Sequence, residues 1–287
     1  MKALLTGCTG QVGSAILEAL PGTLLDCCFM TRNPQLVRGG GQGESGEFVL
    51  ADFNDSASLE AALAGVDAAF LLMANTPDQY DCERRFVDAA LTSGVQHLVK
   101  MSALGADENS PIELKRCHGQ AESYIESSGI PYTHIRPNFF MQNLLHLSDP
   151  IKSDGVIPLP MKFGSVGAID TRDVAEVVLK VLGDADYFGQ CLEISGSESL
   201  SFDNLASIIS ERLRKPVEYV DIDTAVFRQQ MSSLGQSDWY IDAQSALFAS
   251  IAENASAGIT PTLEQVMGRK PRLFSQFVAD HAKEFTG

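Results

Sequence analysis

A short apolar strand, Lys2-Ala3-Leu4-Leu5-Thr6, runs directly into three glycines at three-residue spacing, Gly7-Cys8-Thr9-Gly10-Gln11-Val12-Gly13, and then into the helical pattern Ser14-Ala15-Ile16-Leu17-Glu18-Ala19-Leu20. Such a chain must form a strand, a tight turn and a helix lying back on it, because glycine turns the backbone sharply and brings it close to a neighbour without a Cβ in the way. The helix offers backbone N–H groups and its positive dipole end to an anion, which is what a diphosphate needs. Glycines also mark ordinary turns, so the placement between strand and helix is what points to a dinucleotide, with Thr6, Gly7, Thr9, Gly10, Gln11, Val12 and Gly13 as the binding loop.

Beyond this unit, apolar runs of strand length alternate with segments of helical period, the pattern of an α/β Rossmann-type doubly wound parallel sheet. Strands are expected near 2–6, 25–31, 47–51, 67–73, 95–102 and 131–136, and helices near 11–20, 56–64, 78–93 and 112–128. The stretch 38–46 holds so many glycines that it reads as a mobile loop, each glycine costing a helix about 1 kcal/mol. After residue 137 strands shorten and proline turns such as Pro158-Leu159-Pro160 appear. A helix near 170–182 returns to the main sheet, and 201–214, 222–234 and 237–252 build a smaller C-terminal α/β lobe, mostly helical. The expected division is therefore a dinucleotide-binding domain at 1–150, with return elements near 165–195, and a substrate-binding lobe at 151–287.

A chain of 287 residues can bury a substantial core. Its formal net charge of −16 repels a phosphate backbone, and no basic run overcomes this locally, which argues against nucleic-acid binding. The six cysteines lie outside any CxxC or metal-ligand spacing and read as small buried residues, so no metal is expected. Met1 leads straight into the first strand, and no apolar stretch is long enough to cross a bilayer. A cytoplasmic, reduced protein with a small-molecule partner is the expectation, and a homo-oligomer is compatible with it.

At the end of the second strand, a carboxylate would select NAD by accepting hydrogen bonds from the adenosine ribose diol. Thr31-Arg32-Asn33 stands there instead. A guanidinium pairs with a 2′-phosphate, and Thr31 and Asn33 add neutral contacts, so NADP(H) is preferred and NAD(H) is possible. The plainer alternative is an exposed Arg32 before the turn signal Asn33-Pro34.

Several later segments, in order, carry a resemblance: Met30-Thr31-Arg32-Asn33-Pro34, Ala64-Gly65-Val66-Asp67-Ala68-Ala69-Phe70-Leu71, His97-Leu98-Val99-Lys100-Met101-Ser102, Ser128-Gly129-Ile130-Pro131-Tyr132-Thr133-His134-Ile135-Arg136-Pro137, Ile169-Asp170-Thr171-Arg172-Asp173-Val174-Ala175 and Gly268-Arg269-Lys270-Pro271. With the Gly-x-x-Gly-x-x-Gly loop they make the chain similar to the NmrA-like family of atypical short-chain dehydrogenases/reductases over almost its whole length. The resemblance implies adenine contacts at Asp52 and Phe53, and nicotinamide-ribose contacts at Leu72, Met73 and Ala74. It extends the cofactor set to Met101, Ser102, Pro137 and Asn138. Asp55 reads instead as a helix cap.

Short-chain reductases generally pair a serine after the fifth strand with Tyr-x-x-x-Lys on the next helix, the tyrosine protonating a carbonyl oxygen. The resemblance puts Ser102 at the serine, Leu114 at the tyrosine and His118 at the lysine. Lys115 is rotated about 100° from the tyrosine position and does not substitute. His118 shares the face of Leu114 and is a candidate to bond the nicotinamide ribose or to relay a proton, since imidazole titrates near neutrality. A partly exposed helix histidine and a strand-end hydroxyl are the plain alternatives for His118 and Ser102. Without the tyrosine, an acceptor that is already electrophilic, such as a quinone, an iminium or an azo or triarylmethane dye, is favoured over a simple ketone.

The aromatic segment Phe139-Phe140-Met141 with Asn143 borders nicotinamide and substrate in the resembling family, although core residues would look the same. Tyr80 on the opposite rim is a replacement acid by position alone. The expected function is an NADPH-dependent reductase transferring hydride to a small conjugated electrophile. The rival is a non-catalytic NADP(H) sensor acting through a protein partner.

Overall fold

The computed structural model of the protein describes residues 1–21, 23, 25–33, 35 and 46–286. Its strands are β1 Lys2–Leu5, β2 Asp26–Thr31, β3 Glu47–Leu50, β4 Ala68–Leu71, β5 His97–Met101, β6 Tyr132–Pro137, β7 Val156–Leu159, β8 Ser165–Val166, β9 Gln190–Ile194, β10 Leu200–Ser201 and β11 Glu218–Asp221. The helices that matter for the site are α1 Gln11–Ala19, α2 Ser56–Leu63, α3 Gln79–Thr92 and α4 Glu113–Ser128. Each begins or ends within two residues of its expectation; the glycine-rich 38–46 lies outside the described residues apart from Gly46.

The main sheet runs β3-β2-β1-β4-β5-β6-β9, with parallel pairing from β3 through to β6. β4 and β5 are buried along their whole length, as a sheet covered on both sides requires. Chain order reverses between β1 and β4, the switch point at which open α/β sheets bind ligands beyond the strands' carboxyl ends. Asp55 caps α2 as expected, its carboxylate accepting from the N–H groups of Ala57 and Ser58.

The chain divides into two compact units, Met1–Pro111 with Lys115–Arg136 and Val174–Leu192, and Ile112–Leu114 with Pro137–Asp173 and Glu193–Gly287. The boundary thus falls at Pro137, earlier than the expected 150. The physical reason is that Met141 and Leu144 are buried in a core shared with Ile157, Val166, Phe202, Leu205 and Phe277, so the segment after β6 already belongs to the second unit. The first unit packs around Leu4, Leu59, Leu63, Phe86, Leu98 and Ile125. Helices of the second unit at Phe202–Leu213, Thr224–Ser233 and Asp238–Ala252 match the expected ones closely. Within it, the buried Asp173 carboxylate pairs with Arg269 at 2.8 Å and with Arg272, which anchors the late Gly268-Arg269-Lys270-Pro271 segment. No described helix is long and apolar enough to cross a membrane.

Candidate active site

The three glycines of the loop are not alike. Gly7 has φ +69°, and a Cβ there would lie 2.8 Å from the Leu72 carbonyl oxygen. A Cβ on Gly13 would come within 2.2 Å of the Gly7 carbonyl oxygen and 2.5 Å of Cys8 Cα, so this glycine serves the packing of helix on loop. Gly10 differs: it is exposed, has ordinary extended φ, and a Cβ would meet nothing closer than the Gly7 oxygen at 3.5 Å. The protein's own packing does not require a glycine there, whereas a diphosphate approaching the start of α1 does. No side chain caps that helix and no acid sits in its first turn.

Thr6 is buried, and its hydroxyl donates to the Leu72 carbonyl and accepts from the Leu72 N–H, both at 2.7 Å. It therefore staples the end of β1 to the end of β4 at the start of the loop. Thr9 is exposed, Gln11 half-buried and Val12 buried. Leu72 and Met73 are half-buried and Ala74 exposed where β4 ends. Arg32 is exposed just after β2, while the buried Thr31 hydroxyl accepts from the Asn33 N–H. Asp52 turns the chain by accepting from the Asn54 N–H at 2.8 Å, and Phe53 leans on Phe86 in the first core, its ring centroid 5.8 Å away.

The fifth strand and the two helices beside it hold a buried polar cluster. Lys100, fully buried in β5, places its ammonium 2.8 Å from both carboxylate oxygens of Glu83 on α3 and 3.2 Å from the Met101 carbonyl. The same nitrogen lies 3.4 Å from His118 Nδ1, and Gln79 Nε2, which donates to Glu83 at 3.2 Å, lies 3.5 Å from that Nδ1. Burial first, then the charges of Lys100 and Arg136, push the His118 titration well below its ordinary value. His118 is thus neutral at neutral pH. The expectation of a proton relay rested on imidazole titrating near neutrality, and here the environment disfavours the cation.

Leu114, His118 and Glu122 succeed one another at four-residue spacing on one face of α4, and all three are buried. Glu122 takes a bidentate pair from Arg136, with Nε at 3.0 Å, and its carboxyl lies below the ordinary range: the contacts of Arg136 and Ser102 outweigh a burial that alone would raise it. The Ser102 hydroxyl is buried and meets no full hydrogen-bond geometry with a described residue. Met101 is buried in β5.

Other expected contacts move elsewhere. Tyr80 is one residue past Gln79 and so turns away from His118, into a groove of about 360 Å³ with Gln120, Ser123, Tyr124 and Ser127 on the far face of α4. In the second unit, the Asn138 amide donates to the carbonyls of Ser256 and Gly258, and its oxygen accepts from the Phe139 N–H. Pro137 beside it is buried. Phe139, half-buried, packs edge-to-face on Phe202 at 5.9 Å, and Met141 is fully inside the same core. Phe140 and Asn143 are likewise half-buried, Phe140 bridging to Ile169 through its backbone. Lys100, Glu83 and Gln79 were missed in the sequence; the signal was a lysine inside an otherwise apolar strand, a position where an unpaired charge is not tolerated.

A family model matches residues 1–276, that of the NmrA-like family. The chain belongs to the NmrA-like family. Among its relatives, an NAD(P)H azoreductase of Xenophilus azovorans is 32% identical over 282 residues, covering 98% of each chain. A (4-alkanoyl-5-oxo-2,5-dihydrofuran-3-yl)methyl phosphate reductase of Streptomyces griseus is 31% identical over 290 residues, with the same coverage. Among solved structures, an NADPH-dependent quinone oxidoreductase of Escherichia coli superposes with a TM-score of 0.85 at 25% identity, covering 98% of this chain and 99% of that one. No cluster of His, Cys, Asp and Glu among the described residues is suited to a metal ion.

Proposed function

We propose that this NmrA-like protein is an NADPH-dependent reductase that passes hydride directly to a small, pre-activated acceptor of the quinone, azo-dye, triarylmethane-dye or iminium class. The observation that carries this reading is the inner face of α4, where a reductase would need an acid and this chain has the hydrocarbon of Leu114 followed by a neutral His118. An alkoxide developing on a simple ketone needs a proton from a nearby group, whereas an acceptor that takes hydride onto a delocalised system leaves its charge spread or already neutralised. The open backbone at Gly10 fits the diphosphate, and Arg32 after β2, with no carboxylate beside it, favours the 2′-phosphate of NADPH. When bound, the cofactor supplies hydride from nicotinamide C4. The protein's contribution is then to hold donor and acceptor in contact distance and to offer hydrogen bonds from His118 and Ser102. The reductase relatives support the same reaction class.

The test follows NADPH oxidation with quinones, azo dyes, triarylmethane dyes, cyclic imines and simple ketones in parallel. Oxidation with at least one activated class and none with ketones is expected. Rapid ketone reduction would remove the argument from Leu114, and binding of NADPH without oxidation by any acceptor would favour the sensor.

A further inference from the structure

Lys100 is a cation with no exposure, set in the middle of the sheet, and burying it costs stability unless it is fully paired. A hydrophobic residue would fill that position in a purely structural strand. Four acceptors surround its three N–H groups: two Glu83 oxygens at 2.8 Å, the Met101 carbonyl at 3.2 Å and, farthest, His118 Nδ1 at 3.4 Å. The last of these decides a proton position. An ammonium has donors and no acceptor, so the ring nitrogen facing it must carry the lone pair, and Gln79 Nε2, also a donor, faces the same atom. The proton of the neutral ring then sits on Nε2, which makes no hydrogen bond to any described residue. Lys100 is itself fixed by Glu83, and Gln79 bridges from Glu83 to the ring, so three residues on two elements hold one tautomer in one orientation.

We propose that Lys100, with Glu83 and Gln79, is a positioning residue that locks His118 as a neutral Nε2–H donor. Its purpose rests on the reductase reading above, in which the acceptor or the nicotinamide ribose receives a hydrogen bond and not a proton; its content rests on the geometry alone. The charged groups around the ring act together: Lys100 and Arg136 disfavour the imidazolium, and the Glu83 and Glu122 carboxylates are each engaged by one of those cations. Fixing a tautomer through the second ring nitrogen is how proteins define which face of a histidine can donate.

The experiment is two-bond ¹H–¹⁵N correlation spectroscopy on the protein without acceptor, from pH 8 to about pH 5.5, with His118→Gln identifying the signal among the five histidines. The expected result is a bare Nδ1, a protonated Nε2 and no titration across that range. The double variant Lys100→Met with Glu83→Gln removes both charges together, avoiding an unpaired buried carboxylate, and is expected to show a mixture of the two tautomers. An Nδ1–H signal or titration near 6.5 in the wild type overturns the proposal, as does a folded double variant with an unchanged signature. If the double variant fails to fold, the wild-type spectra still decide. These readouts need no turnover, so their failure is distinguishable from failure of the reductase reading, which NADPH oxidation tests.

Discussion

Gly10 and Gly13 stand three residues apart in one loop and answer to different constraints. Replacing Gly10 with valine leaves circular dichroism and Tm nearly unchanged, because the position is exposed and its Cβ meets only the Gly7 oxygen at an ordinary 3.5 Å, while NADPH affinity falls at least tenfold as the side chain occupies the diphosphate's approach. Gly13→Ala does the reverse, forcing a Cβ into the Gly7 carbonyl and Cys8 backbone at a cost on the order of 1–3 kcal/mol. Calorimetric titration beside thermal melts separates the two. Arg32→Ala weakens NADPH binding by about tenfold, or about 1.4 kcal/mol, and leaves NADH binding unchanged. Because His118 is held neutral, His118→Ala lowers kcat modestly, well short of the 10²–10⁴-fold that loss of a general acid brings.

Strand β5 and helices α3 and α4 together make the polar cluster, and breaking it one-sidedly is costly. Lys100→Met alone leaves Glu83 buried without its partner and destabilises the fold by roughly 3–5 kcal/mol, a loss the added Glu83→Gln substitution recovers in part. After β6, neighbouring aromatics separate: Phe139→Ala lowers Tm because Phe139 packs on Phe202, whereas Phe140→Ala leaves Tm nearly unchanged and alters KM. The elements themselves were legible from apolar period and turn residues, down to the Asp55 cap. What the residue pattern did not disclose were contacts made across elements. The spacing of Phe139, Phe140 and Met141 is the same for a pocket wall as for a core, and only Phe202 and its neighbours, some sixty residues on, distinguish them. Likewise Glu83 and Lys100 are seventeen residues apart and meet only when α3 lies against β5. His118 showed in the sequence as a position; its protonation state did not, since burial and Lys100 set it.

The whole molecule carries a pH dependence of definite sign. Burial lowers the titration of His97 and of His134 to about 4 each, and that of His118 well below its ordinary value. Folded pKa values depressed in this way give stability that is complete above about 6.5, where the unfolded chain is also neutral, and that is lost as pH falls toward 4, because only the unfolded state takes up the protons. Glu122 and Asp170, whose carboxyls are held down by Arg136 and Arg172, add a loss of the same sign at lower pH. Tm is therefore expected to fall between pH 7 and pH 5, a range in which most carboxylates stay ionised and the net charge of −16 changes little. A Tm that rises over that interval would contradict the assignment of these histidines as buried and neutral. The reductase account as a whole is tested most directly by a single turnover of NADPH carrying deuterium at both C4 positions against a triarylmethane dye and a cyclic iminium, whose products keep the label on carbon, followed by mass spectrometry. Deuterium on the acceptor carbon of at least one product, at a rate that does not titrate between pH 6 and pH 8, is the predicted result. Reduction without the label, or no NADPH oxidation with any activated acceptor, would contradict it.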